Sequence, residues 1–441
     1  MTGAGPIRLL EVEVGAPLPM IRPAARADGT PYRHARALVR LHGRPLGMVE
    51  LYLGDRQLGP AALGGRIWAS LSETIQDHLA RDGGAAAAGL PAQGLGAGPC
   101  RATLPLHRAP LASVVVATRD RPAEAVACVE RLLDLAYPSF EILLVDNAPA
   151  SAATEAAVGR RFGHLPRVRY LREDRAGLSN ARNRGLAAAA GEVVAFTDDD
   201  VLVDPAWLAN LVAALGAAPH VACATGLILP AELDTAPAQW FEAYAGFGKG
   251  WERQLFDLAE HRRPGPLYPY AMGQFGSGAS LAFKTATLRE LGGFAAELGA
   301  GTRALGGEDL DVFLRLLAHG AAIVYEPGAI LRHRHLQDYP SLRRQLHGYG
   351  VGLGAALTKC LLDRPARALD LAVRLPAGLV YLLSPASPKN RRKRADFPAE
   401  LSRVELRGVM AGPAAYLRSR REERRERARA GTAGMPAATS W

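Results

Sequence analysis

The stretch VVAFTDDDVLVDP, residues 193–205, joins a run of apolar residues to three consecutive aspartates. A short apolar run bounded by polar residues predicts a buried strand that ends at Asp198. Three adjacent carboxylates repel one another unless water screens them or a cation lies between them. Side chains two positions apart in an extended segment point to the same side, so we expect Asp198 and Asp200 to converge while Asp199 points elsewhere.

The same order of apolar run and polar end occurs twice upstream. ASVVVATRDRP begins at residue 112 and FEILLVDNAP at residue 140, and amphipathic helical segments lie between the runs. Strands that alternate with helices predict an α/β fold, with a mostly parallel central sheet and helices on both faces. Ligands in such sheets bind at the carboxyl ends of the strands. The polar residues at these ends are Thr118, Arg119, Arg121, Asp146, Asn147, Asp198, Asp199 and Asp200.

Composition divides the rest of the 441-residue chain. Residues 1–82 combine alternating and helical apolar patterns, which predict a small α+β unit. Residues 83–109 are rich in Ala and Gly and predict a linker, before a main domain over residues 110–345. Residues 346–417 predict a helical C-terminal region, in which glycines alternate over 348–354 and indicate a close helix contact or a bend. Residues 418–441 are expected to form a basic, disordered tail.

Charge and cysteine usage exclude several classes of protein. The net charge of +10 is concentrated in two runs, 389–394 and 418–429, so we expect no nucleic-acid partner, although an anionic membrane surface remains a possible partner of the C-terminal region. The four cysteines form no CxxC pair, which argues against a zinc site.

The apolar segment 369–384 is too short and too interrupted to span a bilayer. With no secretory signal pattern at the start, the prediction is a cytoplasmic protein, with peripheral binding at the inner face of the plasma membrane as an option.

Five segments, in this order, resemble bacterial family 2 glycosyltransferases of the GT-A fold: SVVVATRDRP, EILLVDNAP, GLSNARNRGL, VVAFTDDDV and GGEDLDVFLRLL. The resemblance covers about residues 110–350. It implies an enzyme that transfers a sugar, with inversion, from a nucleotide-diphosphate sugar to an acceptor hydroxyl, assisted by Mn²⁺ or Mg²⁺. The implied acceptor is a glycan, a lipid-linked molecule or a small molecule, as in cell-wall or polysaccharide biosynthesis.

The resemblance also implies roles for individual residues. Asp309 corresponds to the general base of the family, and Glu308 would orient Asp309 or the acceptor. Metal ligands would be Asp198, Asp200 and His333, with His335 as the alternative histidine. On the acceptor side, Phe275 would stack on a sugar, and Gly276 and Gly278 would let the backbone approach it. The residues that would hold the nucleotide sugar are Thr118, Arg119, Arg121, Asp146, Asn147, Arg182, Asp198 and Asp199.

Elementary chemistry supports this assignment and leaves alternatives open. Hard divalent cations prefer oxygen ligands, and imidazole suits Mn²⁺ better than Mg²⁺. The acids could instead cap helices, Asp146 before residues 151–158 and Glu308 with Asp309 at a helix start. A non-catalytic nucleotide-sugar or carbohydrate-binding protein, or a metal-dependent nucleotidyl- or phosphotransferase on a similar fold, also remains an alternative. ATRDRP lacks the glycine that a triphosphate-binding loop of a nucleotidyltransferase would need.

Overall fold

A computed structural model describes residues 5–54, 56–98, 100, 101 and 109–433. These residues form two β-sheets, one of three strands in the N-terminal part and one of nine strands in the main domain, followed by a helical C-terminal region. The α/β fold with additional N-terminal α+β and C-terminal helical parts is therefore the fold that the sequence predicts.

The N-terminal unit is a three-stranded sheet covered by one long helix. Its elements are β1 (Ile7–Glu13), β2 (His34–Leu41), β3 (Arg44–Tyr52) and α1 (Pro60–Asp82). Strand β2 pairs in parallel with β1 and antiparallel with β3. Helix α1 buries Leu63, Ile67 and Ile75 against the sheet, and it ends where Gly83 adopts the left-handed conformation that glycine favours.

The Ala/Gly-rich segment after α1 contains no helix or strand among its described residues, 84–98, but it is not a free linker. Leu90 is buried in the core of the N-terminal unit. The amide of Leu18 donates to the carbonyl of Ala92, and the amide of Leu95 donates to that of Val14. The buried side chain of Leu90 and these two backbone hydrogen bonds therefore fix a segment whose composition alone predicts flexibility.

The first half of the main domain alternates strands and helices. Its elements are β4 (Ala112–Thr118), α2 (Pro122–Leu133), β5 (Phe140–Asn147), α3 (Ala153–Phe162), β6 (Val168–Glu173), α4 (Leu178–Ala188) and β7 (Val193–Asp198). The four strands lie in the order β7-β4-β5-β6, and every pairing among them is parallel. Helices cover both faces of the sheet over two apolar cores, as the alternating pattern predicts.

The second half extends the sheet with mixed strand directions. Its elements are β8 (Val201–Val203), α5 (Trp207–Leu215), β9 (Val221–Pro230), α6 (Ala236–Ala245), β10 (Gln254–Phe256), β11 (Leu281–Lys284), α7 (Thr285–Glu290), α8 (Glu308–Ala318) and β12 (Ala322–His333). Strand β11 lies antiparallel between β7 and β9, whereas β9 and β12 are parallel. The short strand β8 pairs antiparallel with the end of β12, which brings His333 opposite Val201.

The N-terminal unit packs on the main domain through paired charges. Glu326 in β12 is buried and forms ion pairs with Arg44 of β3 and with Arg253. Arg40 of β2 contacts Asp204 at 2.7 Å. A buried carboxylate left without its partners would be strongly destabilising, so these pairs fix how the two parts fit together.

The C-terminal region consists of α9 (Tyr339–Asp363), α10 (Ala368–Leu383) and α11 (Ala399–Ala433). Helices α9 and α11 touch through glycines: a Cβ on Gly354 would lie 2.3 Å from the carbonyl oxygen of Val409, and one on Gly412 would lie 2.5 Å from the Cα of Gly354. The alternating glycines therefore serve a close helix contact. None of the described helices is long and apolar enough to cross a membrane.

The predicted disordered tail needs correction, because α11 continues through residues 418–433. Glutamates interleave with the arginines there, which favours pairing along the helix over charge repulsion. Glu423 lies 2.5 Å from Arg175, and Glu422 lies 3.1 Å from Arg303, so the helix is also tied to the main domain. Residues 434–441 lie outside the described part.

Candidate active site

A cluster of three metal-ligating side chains stands at the carboxyl end of β7. Asp198 ends that strand, Asp200 follows two residues later, and the pairing of β8 with β12 delivers His333. One ligand atom from each of the three lies within 4.8 Å of the others. Asp200 Oδ1 and His333 Nδ1 are buried without a hydrogen-bond partner. Two carboxylates and an imidazole with unused ligand atoms fit a divalent cation.

The second histidine of the pair has a different partner. His335 Nε2 lies 2.9 Å from Glu242 Oε2, and His335 does not belong to the three-residue cluster. Strand pairing explains why His333, and not His335, joins the cluster. His333 lies in the part of β12 that pairs with β8, whereas His335 lies beyond the end of β12.

Asp199 points away from the cluster, as the alternation of side chains predicts. Its carboxylate accepts hydrogen bonds from Thr118 Oγ1 at 2.7 Å and from Arg121 Nη1 at 2.6 Å. Burial raises the pKa of Asp199 to about 6. Thr118 and Asp199 are buried against each other, so they fix the ends of β4 and β7. The two side chains thus support each other, and their predicted contacts with the donor stay a prediction.

Arg182 on α4 connects the cluster to the start of α8. Its side chain is 3% exposed, so Arg182 lies in the interior and not on the helix surface. Nη1 lies 3.0 Å from Glu308 Oε1, and Nη2 lies 3.0 Å from the carbonyl oxygen of Gly278 and 3.5 Å from Asp198 Oδ1. The planar guanidinium thus holds three separate segments in one geometry.

Glu308 and Asp309 are the first residues of α8, after Gly307 in the left-handed conformation. Glu308 is buried; desolvation and the charge of Asp309 raise its pKa to about 7 against the opposing effect of Arg182. Asp309 is only partly buried, and its Oδ2 accepts a hydrogen bond from the amide of Gly278 at 2.9 Å. The adjacent acids therefore differ in environment: Glu308 faces Arg182 in the interior, while part of Asp309 stays accessible.

The segment predicted to line the acceptor side is largely internal. Phe275 is fully buried and packs against Phe256, Tyr268 and Phe313, so its predicted stacking on a sugar is wrong. A Cβ on Gly276 would lie 2.5 Å from Thr225 Cβ, and a Cβ on Gly278 would lie 2.9 Å from Arg182 Nη2. Glycine is needed at these two positions because side chains of the protein lie close to the backbone there. The sequence-based prediction gave the close approach of a ligand as the reason.

At the end of β5, the neighbouring residues Asp146 and Asn147 contact different parts of the protein. Asp146 is buried, accepts a hydrogen bond from Tyr170 at 3.2 Å, and has its pKa raised by burial. Helix α3 has no side-chain cap, which excludes the capping alternative for Asp146. Asn147 bonds to the carbonyl of Arg175 and the amide of Gly177, both at 2.8 Å, so it shapes the loop before α4. Arg119 and part of Arg121 remain exposed at this edge.

Two residues near Asp309, Lys249 and Tyr349, were not singled out from the sequence. Lys249 follows α6, and burial and the charge of Arg392 lower its pKa to about 8, while Asp309 acts in the opposite sense. Tyr349 on α9 is 38% exposed, and desolvation together with the charges of Asp309 and Asp198 raises its pKa. The rarity of lysine in this arginine-rich chain was the available signal for Lys249. For Tyr349 the only signal was its place among the alternating glycines.

Comparisons with known proteins match this region. Residues 113–276 match the model of glycosyl transferase family 2. Uncharacterized protein y4gI of Sinorhizobium fredii is 37% identical over 154 residues, which are 34% of this chain and 16% of that protein. The pre-mycofactocin glycosyltransferase of Mycobacterium tuberculosis is 30% identical over 159 residues, which are 36% of this chain and 30% of that protein. The chain thus spans less than a third of either relative.

A solved structure of a mannosyltransferase from Pyrobaculum calidifontis, in complex with GDP-Man and Mn²⁺, aligns with a TM-score of 0.45 and 19% identity. That alignment covers 73% of this chain and 89% of the other. The match to the family model includes all of β4 except Ala112, and β5 and β7 with the acids at their ends. It ends at Gly276, in the loop whose Gly278 contacts Arg182 and Asp309. Residues 113–276 of the chain are therefore similar to glycosyl transferase family 2.

Proposed function

We propose that the chain transfers a sugar from a nucleotide-diphosphate sugar to an acceptor hydroxyl, with inversion at the anomeric carbon. The observation that carries the proposal is the convergence of Asp198, Asp200 and His333 beside the Arg182–Glu308 pair. The match to glycosyl transferase family 2 would not by itself determine which reaction the chain catalyses, because one fold hosts many activities.

On the donor side, Asp198, Asp200 and His333 would hold a divalent cation, Mn²⁺ or Mg²⁺. When bound, such a cation neutralises the charge that develops on the departing nucleoside diphosphate. Arg182 keeps Asp198 in place from the interior. Asp146 and the exposed Arg119 lie at the neighbouring strand ends, where the nucleoside would bind. Lys249 supplies a further positive charge near Asp309.

On the acceptor side, Asp309 would act as general base. The amide of Gly278 fixes Oδ2, and the amide of Leu310 donates to Oδ1 at 2.8 Å, which leaves a second lone pair on each oxygen for the acceptor. As the acceptor oxygen bonds to the anomeric carbon, the bond from that carbon to the diphosphate breaks and the proton passes to Asp309. Displacement from the face opposite the leaving group inverts the configuration. Glu308 positions this arrangement through Arg182.

The proposal is tested by incubating the chain with a panel of nucleotide sugars and Mn²⁺ or Mg²⁺ and measuring the release of nucleoside diphosphate. We expect release with at least one donor, and its loss in Asp200→Asn and Asp309→Asn. Asp134→Asn, an exposed acid at the end of α2, is the matched control and should behave as the wild type. Failure to bind or turn over any donor with either metal would refute the proposal. Donor binding without turnover, even with acceptors added, would indicate a binding protein instead.

We further propose that α10 rests on an anionic membrane surface, which fits a lipid-linked acceptor. No residue of this helix is buried, and Leu369, Val373 and Val380 are 74%, 72% and 61% exposed. The basic run 389–394 follows it in the chain, so the apolar face is accompanied by positive charge, as in helices that lie in the bilayer interface.

Co-sedimentation with vesicles tests this contact. The wild type should sediment with vesicles that contain phosphatidylserine and less with phosphatidylcholine alone. The triple variant Leu369→Ser, Val373→Ser and Val380→Ser should lose the binding. Met410→Ser, an equally exposed apolar residue on α11, is the control. Equal sedimentation of the triple variant and the wild type would contradict the proposal.

A further inference from the structure

A second group of metal-ligating side chains lies in the N-terminal unit, outside the candidate active site. His42 lies in the turn between β2 and β3, His78 and Asp82 lie at the end of α1, and Cys100 lies in the Ala/Gly-rich segment. Asp82 Oδ2 is 2.9 Å from His42 Nδ1 and 3.0 Å from His78 Nε2. Cys100 Sγ is 3.7 Å from the same His78 Nε2.

The four side chains come from three separate segments, and those of the two histidines and Asp82 are largely removed from solvent, whereas Cys100 is half-buried. The side chains of His78, Asp82 and His42 are 3%, 5% and 9% exposed. His78 and Asp82 are four residues apart, which puts them on one face of α1. Glu13 accepts hydrogen bonds from the amides of His42 and Gly43 and so fixes the turn that presents the imidazole.

The contacts of His78 distinguish this group from a catalytic relay. In a thiol–imidazole–carboxylate relay the thiol and the carboxylate contact opposite nitrogens of the histidine. Here Cys100 and Asp82 both face Nε2 of His78, and the imidazole of His42 faces the same Asp82 oxygen. One ligand atom from each of His42, His78 and Asp82 lies within 4.8 Å of the others, as a shared cation requires, and Cys100 beside His78 offers a fourth.

We propose that His42, His78, Asp82 and Cys100 bind one zinc ion as a closed, four-coordinate structural site. Zinc binds nitrogen and oxygen at about 2.0–2.2 Å and thiolate sulfur at about 2.3 Å, so neighbouring ligands in a tetrahedron are roughly 3.3–3.6 Å apart. The separations of 2.9, 3.0 and 3.7 Å lie near these edges. A nitrogen, oxygen and sulfur donor set of this kind suits zinc and not the hard cations of the active site.

The surroundings support this assignment. The amide of Arg101 donates to Asp82 Oδ1 at 2.8 Å and leaves Oδ2 directed at the cluster. The zinc ion would tie the β-turn, the end of α1 and the chain at Cys100 together shortly before β4 begins. The ligands are too scattered along the chain for a CxxC pattern, which explains the sequence-based expectation against zinc.

Metal analysis of the full chain tests the site. Wild-type protein purified under reducing conditions without chelator should contain about one equivalent of tightly bound zinc. Replacement of the zinc by Co²⁺ should give a thiolate-to-cobalt charge-transfer band. Cys100→Ser should abolish the band, and His78→Gln should abolish tight zinc binding. Removal of zinc from the wild type should lower its unfolding temperature, and added zinc should restore it.

Three matched variants separate this site from other sources of metal. Cys360→Ser and His34→Gln alter a thiol and an exposed histidine outside the cluster and should keep both zinc and the cobalt band. Asp200→Asn should also keep them, because it alters only the candidate active site. The thiolate band further excludes the group of His220, Asp257 and His261, which contains no cysteine. A wild type without tightly bound zinc and without the cobalt band would overturn the proposal, as would full retention of both in Cys100→Ser.

Discussion

Arg182 and Glu308 form a buried ion pair with 3.0 Å between Nη1 and Oε1, although 126 residues separate them in the chain. The same guanidinium reaches Asp198 and the carbonyl of Gly278, while the amide of Gly278 holds Asp309. Arg182 therefore keeps the candidate metal ligand Asp198 and the loop that holds the candidate base Asp309 in fixed relative positions, and we call this arrangement the frame. The proposed chemistry depends on that frame, because a small misplacement of reacting groups costs much of the rate.

Arg182→Lys tests the frame directly. Lysine keeps the charge but cannot bond to Glu308 and to Gly278 in the fixed planar geometry. We expect a fall in kcat/KM of roughly 100-fold or more, in line with displaced catalytic groups. Arg184→Lys, on the exposed side of α4, should leave donor turnover unchanged. Equal turnover by both variants would show that Arg182 is dispensable.

Gly278→Ala tests the close approach of the loop to Arg182. The added methyl group would lie 2.9 Å from Nη2, so the guanidinium must shift. We expect a loss of about 1–3 kcal/mol in the free energy of unfolding, together with reduced turnover. Gly273→Ala adds the same group where no heavy atom lies within 4 Å and should be tolerated. Urea unfolding and initial rates measure both effects, and a neutral Gly278→Ala would contradict this account.

Glu308 should make stability depend on pH. Its folded pKa of about 7 lies above the usual value of 4.5, so the folded state holds the proton more tightly. Its contribution is therefore most favourable below pH 4.5 and falls by up to about 3 kcal/mol as the pH rises through 7. Glu308→Gln removes this dependence. Unfolding temperatures at pH 5 and pH 8 should differ more in the wild type than in the variant.

Lys249 should impose a pH limit on donor binding. Its pKa of about 8 means that the positive charge, present below that pH, is lost as the pH rises further. We expect KM for the nucleotide sugar to rise between pH 7 and pH 9 in the wild type but not in Lys249→Arg, which stays charged. Lys284→Arg, whose amine bonds to the carbonyl of Pro219, is the control and should keep the wild-type profile. Identical profiles for the wild type and Lys249→Arg would exclude a role for this lysine.

The two histidines at the end of β12 should differ in metal binding. His333→Ala removes a member of the cluster with Asp198 and Asp200, so Mn²⁺ affinity should fall by at least about tenfold. His335→Ala removes the contact with Glu242 and should lower the unfolding temperature with little change in Mn²⁺ affinity. Calorimetric titration of the full chain with Mn²⁺ distinguishes the two. Equal affinities in the wild type and His333→Ala would remove this histidine from the site.

Local pattern in the sequence determined the α/β fold, the resemblance to family 2 glycosyltransferases and the positions of the acids at the strand ends. A strand alternates its side chains with a period of two, so the convergence of Asp198 and Asp200 and the opposite direction of Asp199 follow from spacing alone. The alternation of apolar strands and amphipathic helices likewise fixes the parallel order β7-β4-β5-β6 within a narrow set of options.

Tertiary structure decided what depends on residues far apart in the chain. Only the register of β8 with β12 selects His333 over His335, and only packing shows that Phe275 is core and that Arg182 meets Glu308. The tail helix over 418–433 forms because its glutamates meet arginines of the main domain, and the group around His78 forms because three segments fold together. Such contacts leave no periodic signal, since their free energy arises between segments and not within one.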